Sequence, residues 1–259
     1  MFAAEGYELA LVGGPVRDLL LHRRSHDLDF CTSARPEQFE PILRRFGHDG
    51  FWDMGRKFGT LGAMRRRPDG TEVQVEVTTY RTDAYNPDSR KPEVAYGDTL
   101  EGDLSRRDFT VNAMALRVPD LEFVDPFGGA NDLAKGILRT PVDPRQSFDD
   151  DPLRMMRAVR FVAQLGFTIE AETAEAMYDM TDRIRIVSAE RVRDELTKML
   201  LSDRPRAGIE ALVESGLADI VFPEIPALEL QIDEHHRHKD VFEHTMIVLD
   251  RAIALETDD

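Results

Sequence analysis

The hydrophobic pattern of this 259-residue chain changes character once, near Pro141 to Arg145, and that change constrains the fold more than any other feature. Before it, strand-like and helix-like stretches alternate. Tyr7 to Val12 reads as a short apolar strand that runs into Gly13-Gly14 and then a helix over Val16 to His22. Asp27 to Thr32 reads as a strand, Pro36 to Phe46 as a helix opened by proline, and Gly59 to Arg66 and Glu72 to Tyr80 as two further strands. In the last of these, Val73, Val75 and Val77 share one face, and Gln74, Glu76 and Thr78 share the other. Arg81 to Asp103 lacks periodicity and reads as a long exposed loop, a candidate mobile lid. Asp108 to Leu116 is expected to be helical with Asp108 as its cap, followed by a strand over Leu121 to Val124 and a turn at Asp125 to Gly129. After Pro144 every stretch has helical spacing: Pro152 to Leu165, Ala171 to Met180, Ala189 to Leu201, Ala207 to Ser215 and Phe242 to Leu255. The expected fold class is therefore α+β, with a small mixed β-sheet in the first part and an all-α second part.

Composition narrows the class of protein. With 42% hydrophobic and 32% charged residues, the chain can bury a core, which excludes a disordered protein. No uncharged run approaches the roughly 20 residues of a membrane span. The start, Met1 to Glu5, has no basic n-region, so no signal peptide is expected and the cytoplasm is the default location. Cys31 is the sole cysteine, which rules out a disulfide framework within the chain and a Cys-rich zinc site. The formal net charge of −16, from 33 Lys+Arg and 49 Asp+Glu, by itself disfavours a polyanion partner. Nearly all the cations are arginine, however, and arginine gives two-point donation to phosphates and bases. A local basic groove within an acidic protein is compatible with this balance.

Asp27 and Asp29 form the first chemical constellation. At i and i+2 on a strand they point to the same side and can chelate a hard divalent ion, although such pairs are also ordinary solvated groups. Just upstream, Gly13 and Gly14 present backbone N–H groups at a helix start, where a triphosphate is favoured, and Arg17 follows one turn later. The pattern is neither a Walker A loop nor a Rossmann fingerprint.

Gly13-Gly14-x-Val16-Arg17-Asp18 with Asp27-x-Asp29 resembles the class II tRNA nucleotidyltransferases, the CCA-adding enzymes, and the related bacterial poly(A) polymerases of the polymerase β superfamily. Further motifs of that family follow in order: Arg106-Arg107-Asp108-Phe109-Thr110-Val111-Asn112-Ala113; Asp125-Pro126-Phe127-Gly128-Gly129 with Asp132-Leu133; Asp150-Asp151-Pro152-Leu153-Arg154 with Arg157 and Arg160; and Glu190-Arg191 with Glu195. Together they span about residues 9 to 200. The resemblance implies a nucleotidyltransferase head over 1–143, a helical neck that reads the base over 144–203, and the start of a helical body, or of a truncated HD-type domain, over 204–259. It implies a magnesium-dependent, template-independent enzyme that adds CMP and AMP from CTP and ATP to tRNA 3′ ends. The alternatives are a poly(A) polymerase using ATP alone on other RNA 3′ ends and, from other classes, an HD-type phosphohydrolase with a nucleotide-sensing head or a non-catalytic RNA-binding fragment. The oligomeric state is left open, and no membrane partner is expected.

The residues permit this chemistry. Two magnesium ions at Asp27 and Asp29 suit in-line nucleotidyl transfer. Glu76, on the non-valine face of its strand, either completes a carboxylate triad or takes a proton from the attacking hydroxyl, or else is an ordinary exposed glutamate. Asp151 and Arg154 are expected on one face of a helix whose core face is Leu153, Met156, Val159 and Val162. A carboxylate accepts from an exocyclic amine while a guanidinium donates to the adjacent ring acceptor, a pairing that suits cytosine and adenine and rejects guanine and uracil. The same spacing also suits a surface ion pair. By resemblance Arg107, Arg157 and Arg160 contact the nucleotide and its phosphates, although three-residue spacing also suits a solvated helix face. Asp108 and Asn112 are assigned to capping and bracing. The chain departs from the family's Glu-Asp with Asp150-Asp151. His235, His236, His238 and His244 lie within ten residues and could bind a transition metal, though they read as loop and helix-surface groups. His244-Thr245-x-x-Val248 resembles the first ligand motif of HD-type domains, but the dyad that should follow would lie beyond Asp259, so no working HD site is expected.

Overall fold

A seven-stranded sheet organises the first half of the chain. The computed structural model describes residues 1–25, 27–84, 93–228 and 241–256. They divide into two units, Met1–Lys135 with Arg139–Val142, and Gly136–Leu138 with the chain from Asp143 onward. In the first unit the elements are β1 (Leu9–Val12), α1 (Gly14–Leu20), β2 (Asp27–Thr32), α2 (Pro36–Phe46), β3 (Gly50–Trp52), β4 (Thr60–Arg66), β5 (Glu72–Thr79), β6 (Arg81–Ala84), β7 (Glu93–Tyr96), α3 (Leu100–Ser105), β8 (Ala115–Arg117), β9 (Glu122–Val124) and α4 (Gly129–Lys135). The sheet order is β3-β4-β5-β2-β1-β8-β9. Only the central β2–β5 pair is parallel, so the sheet is mixed.

The two faces of the sheet have separate cores. On one, Leu28, Phe30, Val75 and Val77 pack against Phe39, Ile42 and Leu43 of α2. That helix forms because Pro36 occupies its first turn, the Gln38 side chain accepts from the Arg35 N–H at 2.7 Å, and Phe39, Ile42, Leu43 and Phe46 recur at helical spacing. Burying Phe39, Ile42 and Leu43 contributes about 1.5–3 kcal/mol each. On the other face, Ala10, Val12 and Cys31 pack with Tyr80, Leu100, Leu104, Ala113 and Ala115. By strand alternation Asp29 lies on this second face, two residues from Cys31.

Three expectations are corrected here. Arg81 to Asp103 is not one exposed loop: β6 and β7 pair antiparallel with Arg81 opposite Tyr96, and α3 follows. Thr99 caps α3 by accepting from the Gly102 N–H at 3.1 Å, and Leu100 and Leu104 are fully buried. Residues 85–92 of that stretch lie outside the described residues. Asp108 to Leu116 is not a helix but a single 3₁₀ turn, Thr110–Asn112, followed by β8. Ala113, Met114 and Ala115 are fully buried, and β8 pairs with β1 with Leu116 opposite Leu11, so tertiary pairing overrides local helix propensity. The short edge strand β3 was not expected at all.

In the second unit β10 (Ile137–Leu138), α5 (Pro144–Asp150), α6 (Leu153–Leu165), β11 (Thr168–Ile169), α7 (Ala171–Asp179), α8 (Ala189–Leu200), α9 (Pro205–Glu214), α10 (Ala218–Val221) and α11 (Val241–Glu256) follow in order. The helices dominate, and the only strands described there are the two-residue parallel pair β10–β11. Helix α6 is central, packing on both α8 and α9. Its buried side goes beyond the expected core stripe to include Arg154, Met155, Ala158, Arg160, Phe161 and Ala163. Arg206 on α9 ties down α11 by donating to Glu243 at 2.8 Å and Asp250 at 3.1 Å.

Candidate active site

The parallel register of β2 and β5 sets Asp29 opposite Glu76 and Asp27 opposite Gln74, on the face away from α2. Asp29 and Glu76 are both exposed. They line a cavity of about 270 Å³ together with Thr60, Thr78, Arg81, Arg106 and Arg107. The same two carboxylates also line a second cavity of about 270 Å³, which is completed by Trp52 and Gln74. Trp52 Nε1 donates to Glu76 Oε1 at 3.3 Å. Among the described residues, no three His, Cys, Asp or Glu side chains come together as a ligand set. The Asp27 side chain lies outside the described residues. Asp29 and Glu76 present hard carboxylate oxygens, the kind suited to magnesium rather than to a softer transition metal.

The arginines beside the carboxylates are held from behind. Asp103, fully buried, accepts from Arg106 Nη2 at 2.6 Å, Arg106 Nε at 3.1 Å, Arg107 Nη2 at 3.1 Å and the Arg81 N–H at 3.3 Å. Burial would raise the Asp103 carboxyl, but the Arg107 and Arg106 charges outweigh it and hold it below the usual range. Burial likewise pulls Arg107 down, and Asp103 more than offsets it. Both groups therefore stay charged. Cys31, beneath them, is pushed well up by burial and then by Asp103, so it is no nucleophile at neutral pH.

Arg107 also explains the first glycine. Gly13 has φ +75°, and a Cβ there would stand 2.9 Å from Arg107 Nη1, so the turn needs glycine for its conformation and for this close approach. β1 runs antiparallel to β2 with Leu11 opposite Phe30, which brings the Gly13-Gly14 turn to the level of Asp29. Arg17, one turn later, points into the protein: it donates to Asp18 Oδ1 at 2.7 and 2.9 Å and to Asn112 Oδ1 at 2.9 Å. Asn112 in turn donates to Asp108 at 3.0 Å. Arg17, Asp18, Asn112 and Asp108 thus form one strut under the turn. Asp125 accepts from the Gly129 and Ala130 N–H groups and opens α4.

In the second unit Asp151 and Arg154 are not on one helix face, which corrects the expectation. Asp151 ends α5 in an extended conformation, φ −143° and ψ 97°, because Pro152 disfavours the helical region for the residue before it. Its carboxylate accepts from Arg191 Nη2 at 3.2 Å and the Leu153 N–H at 3.2 Å. Arg154 is 6% exposed, and its Nη1 donates to Ser147 Oγ at 2.7 Å and the Ser147 carbonyl at 3.2 Å. Arg160 is also buried, donating to Glu195 of α8 at 2.5 Å and to Gln164 at 2.8 Å. Arg157 lies over the Phe161 ring at 5.5 Å. His244 is exposed on α11, and His235, His236 and His238 lie outside the described residues.

Residues 9–139 match the family described as "Poly A polymerase head domain", and residues 166–228 match "Probable RNA and SrmB- binding site of polymerase A". The chain belongs to the CCA-adding enzyme and bacterial poly(A) polymerase family. Among curated members of the family, the CCA-adding enzyme of Lactobacillus johnsonii is 40% identical over 217 residues, which are 83% of this chain and 52% of that one. The crystal structure of the Bacillus stearothermophilus CCA-adding enzyme in complex with CTP superposes with a TM-score of 0.73 at 37% identity, covering 83% of this chain and 50% of the other. A CCA-adding enzyme in complex with ATP gives a TM-score of 0.71 at 25% identity, covering 97% of this chain and 66% of the other. The chain spans about half the length of the curated relatives it matches.

Against this family background, two groups that shape the cleft escaped the sequence reading. Asp103 carries a local signal, since it stands three and four residues before Arg106 and Arg107, the spacing of helix-side ion pairs. Trp52 carries none, because its position depends on the pairing of β3 with β4.

Proposed function

We propose that this chain is a nucleotidyltransferase that adds CMP and AMP, from CTP and ATP, to tRNA 3′ ends without a template. The observation that carries the reading is the register of Asp29 against Glu76 at a cleft edged by Arg106 and Arg107. The relatives named CCA-adding enzymes, one solved with CTP and one with ATP, support it. On this reading the first unit, as residues 1–143, is the catalytic head. Residues 144–203 form the base-reading neck, and the chain from 204 begins the body.

In the head, the acceptor 3′-hydroxyl attacks the α-phosphorus and pyrophosphate leaves on the opposite side. Asp27 and Asp29 would hold magnesium, which would supply positive charge against the phosphates and favour the hydroxyl's ionised form. Glu76 stands beside them as the acceptor for the hydroxyl proton. Gly13, Gly14 and Arg107 receive the triphosphate, and Arg17 keeps the glycine turn in shape through Asp18 and Asn112. In the neck, Asp151 and Arg154 read the amine and adjacent acceptor shared by cytosine and adenine. Ser147 fixes the Arg154 guanidinium for that task. Arg157 contacts the nucleotide, and Arg160 acts as a brace because Glu195 holds it. The cytoplasm suits a tRNA-processing enzyme, and no helix among the described residues is long and apolar enough to cross a membrane.

Single-nucleotide incorporation tests this proposal. With magnesium and tRNA lacking its CCA, CTP is incorporated and GTP and UTP are not, and ATP follows once two C residues are present. Asp29→Ala lowers the rate by about a hundredfold or more, and Arg154→Ala admits GTP or UTP or abolishes addition. Incorporation of ATP alone at every stage would make the protein a poly(A) polymerase. Phosphohydrolysis that survives Asp29→Ala and is lost with His244→Ala would turn the assignment to the HD class.

A further inference from the structure

The two cavities that meet at Asp29 and Glu76 differ in chemistry. One carries Arg81, Arg106 and Arg107 with two threonines; none of the described residues lining the other is cationic, and Trp52 is its aromatic wall. We infer that the Trp52 cavity is the acceptor subsite, where the indole face stacks on the 3′-terminal base of the RNA. This rests on the transferase reading above.

The construction of the wall supports a binding role. Trp52, Gly62, Glu76 and Asp29 stand opposite one another on β3, β4, β5 and β2, one row across four strands. Gly62 is the enabling residue, since a Cβ there would fall 2.0 Å from the Trp52 ring. The indole therefore lies over Gly62 of β4, and its N–H donates to Glu76 at 3.3 Å. A half-buried indole seated beside an exposed carboxylate pair can serve as a stacking platform, which any base can use because every base has a π-face.

In-line displacement assigns the direction. The attacking and leaving oxygens stand on opposite sides of the α-phosphorus. The polyanionic leaving group belongs with the arginines, on the Thr78 and Gly13 side of the carboxylates. The attacking hydroxyl then enters from the other cavity, which places its own base at Trp52. Glu76 is shared by both cavities and touches the indole, so a base seated there delivers its ribose next to the proposed proton acceptor.

Trp52 is the sole tryptophan of the chain, so its fluorescence reports the subsite directly. A hairpin RNA with a single-stranded 3′ CC end should quench the emission of the whole chain saturably; the same hairpin with a blunt end, and CTP or ATP alone, should leave it unchanged. In steady-state kinetics Trp52→Leu should raise KM for the RNA about tenfold while KM for CTP stays within about twofold, and Trp52→Phe should stay near the parent chain. Quenching by nucleotide alone or equally by the blunt hairpin, or a Trp52→Leu variant whose RNA KM is unchanged or whose nucleotide KM rises equally, would overturn the assignment. Because the quenching needs no turnover, it separates the two ideas. Nucleotide incorporation without quenching rejects the subsite alone, and quenching without incorporation by the parent chain rejects the transferase reading.

Discussion

Asp103 bears on the cleft through the two arginines it anchors. Its carboxyl is held below the ordinary range, so the stability it carries is present above about pH 4, the unfolded value, and is lost as pH falls through the folded one. Asp103→Asn should lower the melting temperature at neutral pH, since it removes the buried carboxylate that Arg106 and Arg107 share, and should flatten the acid limb of the stability profile. Thermal melts from pH 7 down to pH 3 measure both. An acid limb as steep in the variant as in the parent would contradict the linkage. Legibility at this scale followed distance along the chain. The two-residue period of β5 already set Glu76 apart from the valines, whereas the inward turn of Arg17 depends on Asn112, 95 residues away.

Between elements, the α6–α8 contact turns on one buried ion pair. Arg160 and Glu195 are both nearly inaccessible, at 9% and 4%. Glu195→Ala takes away the counter-charge of a buried guanidinium and leaves it only other partners such as Gln164, so it should destabilise the fold by about 3–5 kcal/mol in denaturant unfolding. A change under about 1 kcal/mol would show that the pair adds nothing over its replacement. The elements legible in the sequence were those whose pattern is local: α2 with its proline start and apolar spacing, and β2 and β5 with their alternation. Of the missed ones, β8 owes its form to a partner far along the chain, with Leu116 opposite Leu11, whereas β3 and the β6–β7 pair join near neighbours, Trp52 opposite Gly62 and Arg81 opposite Tyr96, and strands of three or four residues carry too little alternation to be read. The extended Asp151 was within reach, since the following proline announces it. The helix reading failed by placing Asp151 and Arg154 on one continuous face.

For the whole molecule, a net charge of −16 sets the conditions under which the proposed RNA substrate could bind. Attraction has to come from local arginines such as 106 and 107, so affinity for tRNA should fall about tenfold or more between 50 and 200 mM salt, as filter binding would show. An affinity indifferent to salt would mean that phosphate contacts do not carry the interaction. The composition therefore argued against a polyanion partner only on average, because it could not show where the cations gather. Addition of a defined triplet distinguishes the proposed activity from polyadenylation, and sequencing RNA 3′ ends after incubating tRNA lacking CCA with magnesium and all four nucleotides reads it out. Ends extended by C, C and A in that order and then halted are expected. Unextended ends, or ends extended only by runs of A, would contradict that activity.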